Sequence, residues 1–429
     1  MVLSAMSHLV PGFWNSSTNT EDGGIIEIES WDSSSDCCQW KSVTCDLHLP
    51  SRPITALDLS GLVGSLATAA SILTPLFRIR NLARLDISFN SLQGEISGDR
   101  LANLTRLVRL DMRCNNFNGS IPSQLFHLRN LEYLDLGSDS LSGNLISDVG
   151  ALKNLRFFNL QENFLDGEIP IEMGNLSQLQ QLSLRQNRFS APAASVLMPL
   201  FQIRSLVRLD ISPNSLQGEL PTHGLAKLTR LVKLDMGSNN FHGSFPNQIF
   251  HLGNRQYLDM SDTFSSPESI PSLLLKMKEL QVLDLRNNSL SSGIPDEIGN
   301  LANISLLALS LSNLIGGIPA SIKQMDRLHK LRLDRNSFSG EIPAWLFDIK
   351  GLKTLFLGRN KFTWNNSDFS AHHQSNIKST IAICEEEATS GKCRRLCNKI
   401  DVVLAYGKVI KVTLDIGWWS SAGIKFGNF

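Results

Sequence analysis

Along this chain the apolar residues keep one pattern, L-x-x-L-x-L-x-x-N-x-L-x-G-x-I-P, which returns about every 24 residues through most of the length. Clear turns of the pattern open at Leu82, Leu107, Leu131, Leu155, Leu179, Leu206, Leu231, Leu280, Ile304, Leu328 and Leu352. A partial turn at Ile54 and a degraded one at Arg255 bring the total to thirteen. In one turn, Leu131, Leu134 and Leu136 show the spacing that matters: the last two stand two residues apart, on one face of a short strand. Stacking successive turns pairs these strands in parallel at about 4.8 Å with one face buried. The predicted fold is an α/β horseshoe, a right-handed solenoid with a parallel β-sheet on its concave face and short 3-10, irregular or helical segments on its convex side.

Where the chain leaves each strand stands an asparagine: Asn90, Asn115, Asn163, Asn187, Asn214, Asn239, Asn288, Asn336 and Asn360. Turned inward, its amide bonds loop backbone in neighbouring turns, and losing one rung leaves buried groups unpaired at roughly 1 to 3 kcal/mol. A G-x-I-P element follows, as in Gly119 to Pro122, Gly167 to Pro170, Gly316 to Pro319 and Gly340 to Pro343. Proline has fixed φ and no donor, which suits an extended, turn-bounded segment. This repeat resembles the plant-type leucine-rich repeat of receptor-like proteins, receptor kinases and polygalacturonase-inhibiting proteins, over about Trp31 to Phe362. The expected organisation is an N-terminal segment 1–30, a cap 31–53, about thirteen leucine-rich repeats over 54–365 and a non-repeat tail 366–429.

A larger duplication overlies the short period. Residues 72–136 match residues 196–260 at a constant offset of 124 in 42 of 65 positions, a step of five turns. The match includes positions that the core does not dictate. Recent duplication explains it simply; a repeated binding face is the sharper reading.

Trp31, Cys37, Cys38, Trp40 and Cys45 precede the first turn, where an exposed core needs a cover. They resemble the family's N-terminal cap, and the resemblance implies a Cys38–Cys45 disulfide. The family's upstream partner for the first cysteine is absent, leaving Cys37 without an obvious mate and suggesting a truncated start. Cys114 reads as a tolerated lone thiol. Cys384, Cys393 and Cys397 match neither the family's C-terminal cap nor a common zinc spacing, so one disulfide among them is expected and no metal. Further on, alternation around Tyr406-Gly407 predicts a hairpin. Asn15, Asn103, Asn118, Asn175, Asn287, Asn303 and Asn365 head N-x-S/T sequons, glycosylation acceptors in a secretory compartment. They point to an extracellular or cell-surface protein, although the first residues lack a basic n-region and no apolar stretch approaches a membrane span.

Charge changes the picture by subtraction. Forty basic and forty acidic residues cancel, which removes the long-range field of a nucleic-acid binder. Asp58, Asp86, Asp111, Asp135, Asp210, Asp235, Asp259 and Asp284 align at one strand position, with Arg84, Arg109, Arg208 and Lys233 two residues earlier to neutralise them. No metalloprotease, hydrolase, P-loop or kinase signature is present, so neither catalysis nor a cofactor is expected. The Asp column stops at Ala308, Arg332 and Phe356, where the wall also gains Lys330, Arg335 and Arg359. An aromatic among cations is the candidate ligand site: Lys330, Arg332, Arg335, Phe356 and Arg359. The resemblance implies recognition of a protein, peptide or glycan ligand in defence or development, with signalling through a partner kinase. A secreted inhibitor of cell-wall-degrading enzymes is the alternative.

Overall fold

The leucine spacing produces its strands where the pattern places them. In a computed structural model, residues 35–61, 68–221, 224–245, 247–251, 254–264, 267 and 269–363 are described, together with the strands 401–405 and 408–413. The chain divides into two compact units, residues 1–264 and 265–429.

The first unit opens with the cap. Strand β1 (Val43–Cys45) runs antiparallel to β2 (Ile54–Asp58). Trp40 is 5 % exposed and its Nε1 donates to Ser35 Oγ at 2.6 Å, and Cys38 and Cys45 are bonded. Asp36 accepts the Cys38 amide at 3.0 Å and the Arg52 guanidinium at 2.7 Å, which ties the start of the cap to its end. Parallel strands follow, one per turn: β3 (Arg84–Asp86), β4 (Arg109–Asp111), β5 (Tyr133–Asp135), β6 (Phe157–Asn159), β7 (Gln181–Ser183), β8 (Arg208–Asp210), β9 (Lys233–Asp235) and β10 (Tyr257–Asp259). The register repeats without slip: Asp86 faces Asp111, which faces Asp135, and Asp210 faces Asp235, which faces Asp259. Because side chains alternate, the middle residue of each strand points to the core, and Leu85, Leu110, Leu134, Phe158, Leu182, Leu209, Leu234 and Leu258 are all buried.

The second unit repeats the arrangement with β11 (Val282–Asp284), β12 (Leu306–Ala308), β13 (Lys330–Arg332) and β14 (Thr354–Phe356). Beyond the repeats, β15 (Asp401–Ala405) and β16 (Lys408–Thr413) form the expected hairpin about residues 406–407, and β16 adds in parallel to β14.

Each G-x-I-P element supports more than a turn. Extended segments at Leu92–Glu95, Asn116–Gly119, Ser140–Asn144 and Phe164–Asp166 pair in parallel as a flanking sheet in the first unit, and Ile315–Gly316, Ser337–Glu341 and Lys361–Thr363 do so in the second. The proline then N-caps a 3-10 turn, as Pro122 does for Ser123–His127 and Pro170 for Ile171–Asn175. The sequence pattern indicated the extended conformation but not its pairing from turn to turn.

The asparagine rungs are made as their chemistry requires. Asn163 Nδ2 donates to Leu136, Leu160 and Gln161 carbonyls at 2.8, 3.2 and 3.1 Å, and its Oδ1 accepts the Leu141 amide at 2.9 Å. Among the described residues three rungs differ. Thr263 and Ser312 replace the amide with a hydroxyl, which donates to the Ser261 carbonyl at 2.7 Å and the Leu285 carbonyl at 3.1 Å, and Asp139, 8 % exposed, stands at a third asparagine position. Its Oδ1 accepts the Phe117 amide at 2.9 Å, while Oδ2 is buried without a hydrogen-bond partner. Burial pushes the Asp139 carboxyl up to about 8, so at neutral pH it is protonated, the form closest to the amide it replaces.

Candidate recognition surface

On the repeat strands the first and third residues face away from the core, and in the second unit these positions bring two cations and one ring together. Lys330 and Arg332, first and third residues of β13, lie beside Phe356, third residue of β14, because the register pairs Arg332 with Phe356. The Lys330 Nζ is 5.8 Å and the Arg332 Cζ 4.9 Å from the centre of the Phe356 ring. All three are half-buried. Burial lowers the Arg332 and Lys330 pKa values, and Arg286 lowers both further; Arg332 does the same to Lys330. The carboxylates near Arg332 are Asp334, 4.0 Å from its Nε, and Asp284, which Arg286 holds at 2.7 Å. Arg335 and Arg359 lie beyond their strands, in the left-handed turn residues at φ 57° and 55°, and both are exposed. Arg335 contributes to the field on Arg332. The structure therefore brings together Lys330, Arg332 and Phe356, with Arg335 and Arg359 on the rim.

Arg286 belongs to this cluster and was missed from the sequence. Its signal was available: it follows Asp284 by two residues, as Arg113 follows Asp111.

In the first unit the Asp column is buried more deeply than its surface spacing suggests. Asp111 and Asp135 are 0 % exposed. Burial first, then Asp135 and Asp86, push the Asp111 carboxyl up to about 6; Asp235 is pushed up to about 7 by burial, Asp210 and Asp259. Neutralisation by the preceding cations is partial. Arg109 reaches Asp111 at 3.1 Å, and Lys233 lies 3.5 Å from Asp210, but Arg208 bonds Gln181 at 3.5 Å. Two tyrosines complete the surface. The Tyr133 hydroxyl lies between the Asp111 and Asp135 oxygens at 3.4 and 3.1 Å, its ring stacks on Phe157 at 4.3 Å, and the Arg109 guanidinium covers the other face at 3.5 Å. This is a packed, internally bonded surface, in which a hydroxyl and a guanidinium are already bonded to the carboxylates.

Comparison with known proteins agrees with this architecture. The family described as Leucine Rich Repeat matches residues 106–128, 279–301 and 327–349. Among curated relatives, Receptor-like protein 46 of Arabidopsis thaliana is 39 % identical over 102 residues, 24 % of this chain and 13 % of the relative. Receptor-like protein 6 of the same plant is 29 % identical over 302 residues, covering 67 % of this chain and 25 % of the relative. The chain carries leucine-rich repeats, and over them it is similar to plant receptor-like proteins.

Among solved structures, the plant peptide hormone receptor RGFR1, in complex with RGF2, superposes with a TM-score of 0.65 at 28 % identity, covering 76 % of this chain and 49 % of that one. The Arabidopsis receptor kinase HAESA, in complex with the peptide hormone IDA and the co-receptor SERK1, gives 0.65 at 26 % identity, covering 84 % and 66 %. The leucine-rich-repeat chain thus spans about a quarter or less of the length of these curated relatives. No helix among its described residues is long and apolar enough to cross a membrane.

On this leucine-rich-repeat framework the sequons fall unequally. Asn118 and Asn175 are exposed, and Asn287 is an exposed left-handed turn residue at φ 52°. Asn103 and Asn303 donate their amides to the Arg100 and Lys278 carbonyls, at 3.1 and 2.9 Å. Asn15, Asn365, Cys384, Cys393 and Cys397 lie outside the described residues. Cys37 and Cys114 are free thiols, both half-buried.

Proposed function

We propose that this chain is the recognition part of a plant receptor-like protein, binding a peptide or protein ligand and handing the signal to a partner kinase, in defence or development. It acts by binding rather than by catalysis, in the extracellular or cell-surface setting of its relatives. The site is the outward face of the second unit, centred on Arg332 and Phe356 with Lys330, Arg335 and Arg359. The single observation that carries this reading is the cluster of Lys330 and Arg332 beside the Phe356 ring, two cations whose pKa values are lowered by burial first and by neighbouring cations next. Crowded, half-buried cations gain most from an incoming anion, and the ring supplies apolar area, so the ligand class is a peptide segment that pairs an acidic group with an apolar one. The resemblance to receptors solved with peptide hormones supports a peptide over a glycan.

The test is calorimetric titration with a panel of short synthetic peptides ending in acidic and apolar residues. A binder from this panel should lose roughly 5- to 150-fold in affinity on Arg332→Ala or Phe356→Ala, the hot-spot range of about 1 to 3 kcal/mol. Arg84→Ala and Arg208→Ala should change it less than about 3-fold. Loss on the first-unit changes with none on the second-unit ones would remove the site to the Asp column.

A further inference from the structure

The duplicated segment sets one constellation twice on the sheet of the first unit. In the first copy, the Tyr133 hydroxyl bridges Asp111 and Asp135 under the Arg109 guanidinium. At an offset of 124, the Tyr257 hydroxyl bridges Asp235 and Asp259 at 3.3 and 3.4 Å, with the Lys233 Nζ 4.6 Å from the ring centre. The two are five strands apart, β4 to β9, or about 24 Å at the usual strand spacing.

The copies differ in the residue that closes them. In the first, Arg113 follows Asp111 by two, and its guanidinium lies 3.7 Å from Asp111 Oδ1, 3.6 Å from Asp135 Oδ2 and 5.4 Å from the Phe89 ring centre. The carboxylate pair there is a working guanidinium site, filled by the chain itself. In the second copy the equivalent of Arg113 is Gly237. Size has been exchanged between neighbouring turns: the first copy has Gly137 where the second has Ser261, and a Cβ added to Gly237 would stand 2.9 Å from the Asp259 carboxylate and 2.9 Å from Ser261 Oγ.

We infer that Asp235 and Asp259, with Tyr257 between them, form a receptor site for a guanidinium or primary ammonium group on a partner peptide, which takes the place that Arg113 takes in the first copy. Nothing in this rests on the carboxylates being bare: Asp259 keeps its bonds from the Ser261 amide and hydroxyl at 2.9 and 2.7 Å, as Asp135 keeps those from Gly137 and Asn159 at 3.0 and 2.9 Å beside Arg113. The local charge favours a cation, since Asp210, Asp235 and Asp259 face Arg208 and Lys233, whereas the first copy sets Arg84, Arg109 and Arg113 against three aspartates. After burial, Asp210 and Asp259 raise the Asp235 carboxyl further while Lys233 lowers it, so an added cation is favoured there.

The tyrosines make the test specific, because the chain has three, Tyr133, Tyr257 and Tyr406. With ring-labelled tyrosine in the full chain, assigned through the Tyr406→Phe and Tyr133→Phe variants, NMR titration with N-acetyl-arginine amide should shift the Tyr257 resonance and leave Tyr133 in place. The uncharged isostere N-acetyl-citrulline amide should shift neither. Arg113→Gly should make Tyr133 respond as well, and Gly237→Arg combined with Ser261→Gly should silence Tyr257. Asp235→Asn, which keeps the shape, should weaken the Tyr257 response at least about 10-fold and serves if the double variant does not fold. Equal shifts of both tyrosines in the unaltered chain, no shift of Tyr257, equal effect of the citrulline compound, or a silent Tyr133 in Arg113→Gly would each overturn the inference.

Discussion

Asp139 offers the sharpest test of how the ladder works, through the single change Asp139→Asn. Every neighbouring rung uses an amide whose nitrogen donates to carbonyls, as Asn115 does to Ile87, Met112 and Arg113 at 3.0, 2.8 and 3.3 Å. At Asp139 the Oδ2 is buried with no donor to satisfy it as a carboxylate, so the folded state retains the proton. The sign follows from linkage. The folded carboxyl holds its proton up to about pH 8, whereas the unfolded one releases it near the ordinary value of 3.8. The stability it contributes is therefore complete below pH 3.8 and is lost as pH rises toward 8. At about 1.4 kcal/mol per pH unit, the cost at pH 7 has a ceiling of about 4 kcal/mol, and relaxation of the rung brings it to roughly 2 to 4. Asparagine needs no proton and restores the donor, so Asp139→Asn should stabilise the first unit by that amount at pH 7 and by less than about 1 kcal/mol at pH 4.

Urea unfolding at pH 4, 5.5 and 7, followed by tryptophan fluorescence, measures the difference directly. Asp111 and Asp235 also titrate in this range, but they are common to both proteins and cancel in the comparison. A difference that stays flat between pH 4 and 7, or a variant less stable than the parent at pH 7, would show that Oδ2 is satisfied as a carboxylate and refute the argument.

Two further changes probe places where the chain departs from its own repeat. Arg255 stands where the pattern has leucine, is 0 % exposed, and bonds the Ile249 carbonyl at 2.9 Å while its Nε and Nη2 have no hydrogen-bond partner. Arg255→Leu should raise the urea midpoint, a gain of about 1 to 4 kcal/mol, and a lower midpoint would mean the guanidinium is needed where it lies. Leu311 holds a left-handed conformation at φ 58° and is 43 % exposed, so Leu311→Asn should add about 1 kcal/mol in thermal melts, an unchanged or lower midpoint counting against backbone strain.

The core was legible because it is redundant. Leu134, Phe158 and Leu182 all sit at one position of one pattern, and a two-residue alternation fixes which side of a strand each faces. The asparagine ladder was legible for the same reason. Periodicity assigns a face but not a rotamer, and there the reading stopped short. Arg208 shares its position with Arg109, yet Arg109 turns to Asp111 and Arg208 to Gln181. Arg113 and Arg286 reach their aspartates from the turn after the strand; the two-residue spacing is in the sequence, but strand alternation alone does not single it out. The flanking sheet was hidden because its pairing depends on how closely consecutive turns stack, not on the residues of any one turn.

Function on such a framework has to be read from differences between copies, and the duplication makes that possible inside one molecule. Where Leu110 and Leu234, or Asp111 and Asp235, agree across the offset of 124, the agreement reflects the demands of the stack as much as those of any partner. Where Arg113 becomes Gly237 and Gly137 becomes Ser261, the strand register is unchanged and the middle leucines of the strands, Leu110 and Leu134 against Leu234 and Leu258, stay buried. The fold is indifferent to the exchange, but the charge presented to solvent is not. The second unit shows the same logic without a duplicate to compare: Ala308, Arg332 and Phe356 leave the Asp column while their neighbours Leu307, Leu331 and Leu355 remain fully buried. Positions that change charge or size at constant backbone are where this architecture has freedom to specify a ligand: Arg332 and Phe356 of the second unit are such positions, and in the first unit it is the change of Arg113 to Gly237 that sets the shared Asp235 and Asp259 apart from Asp111 and Asp135.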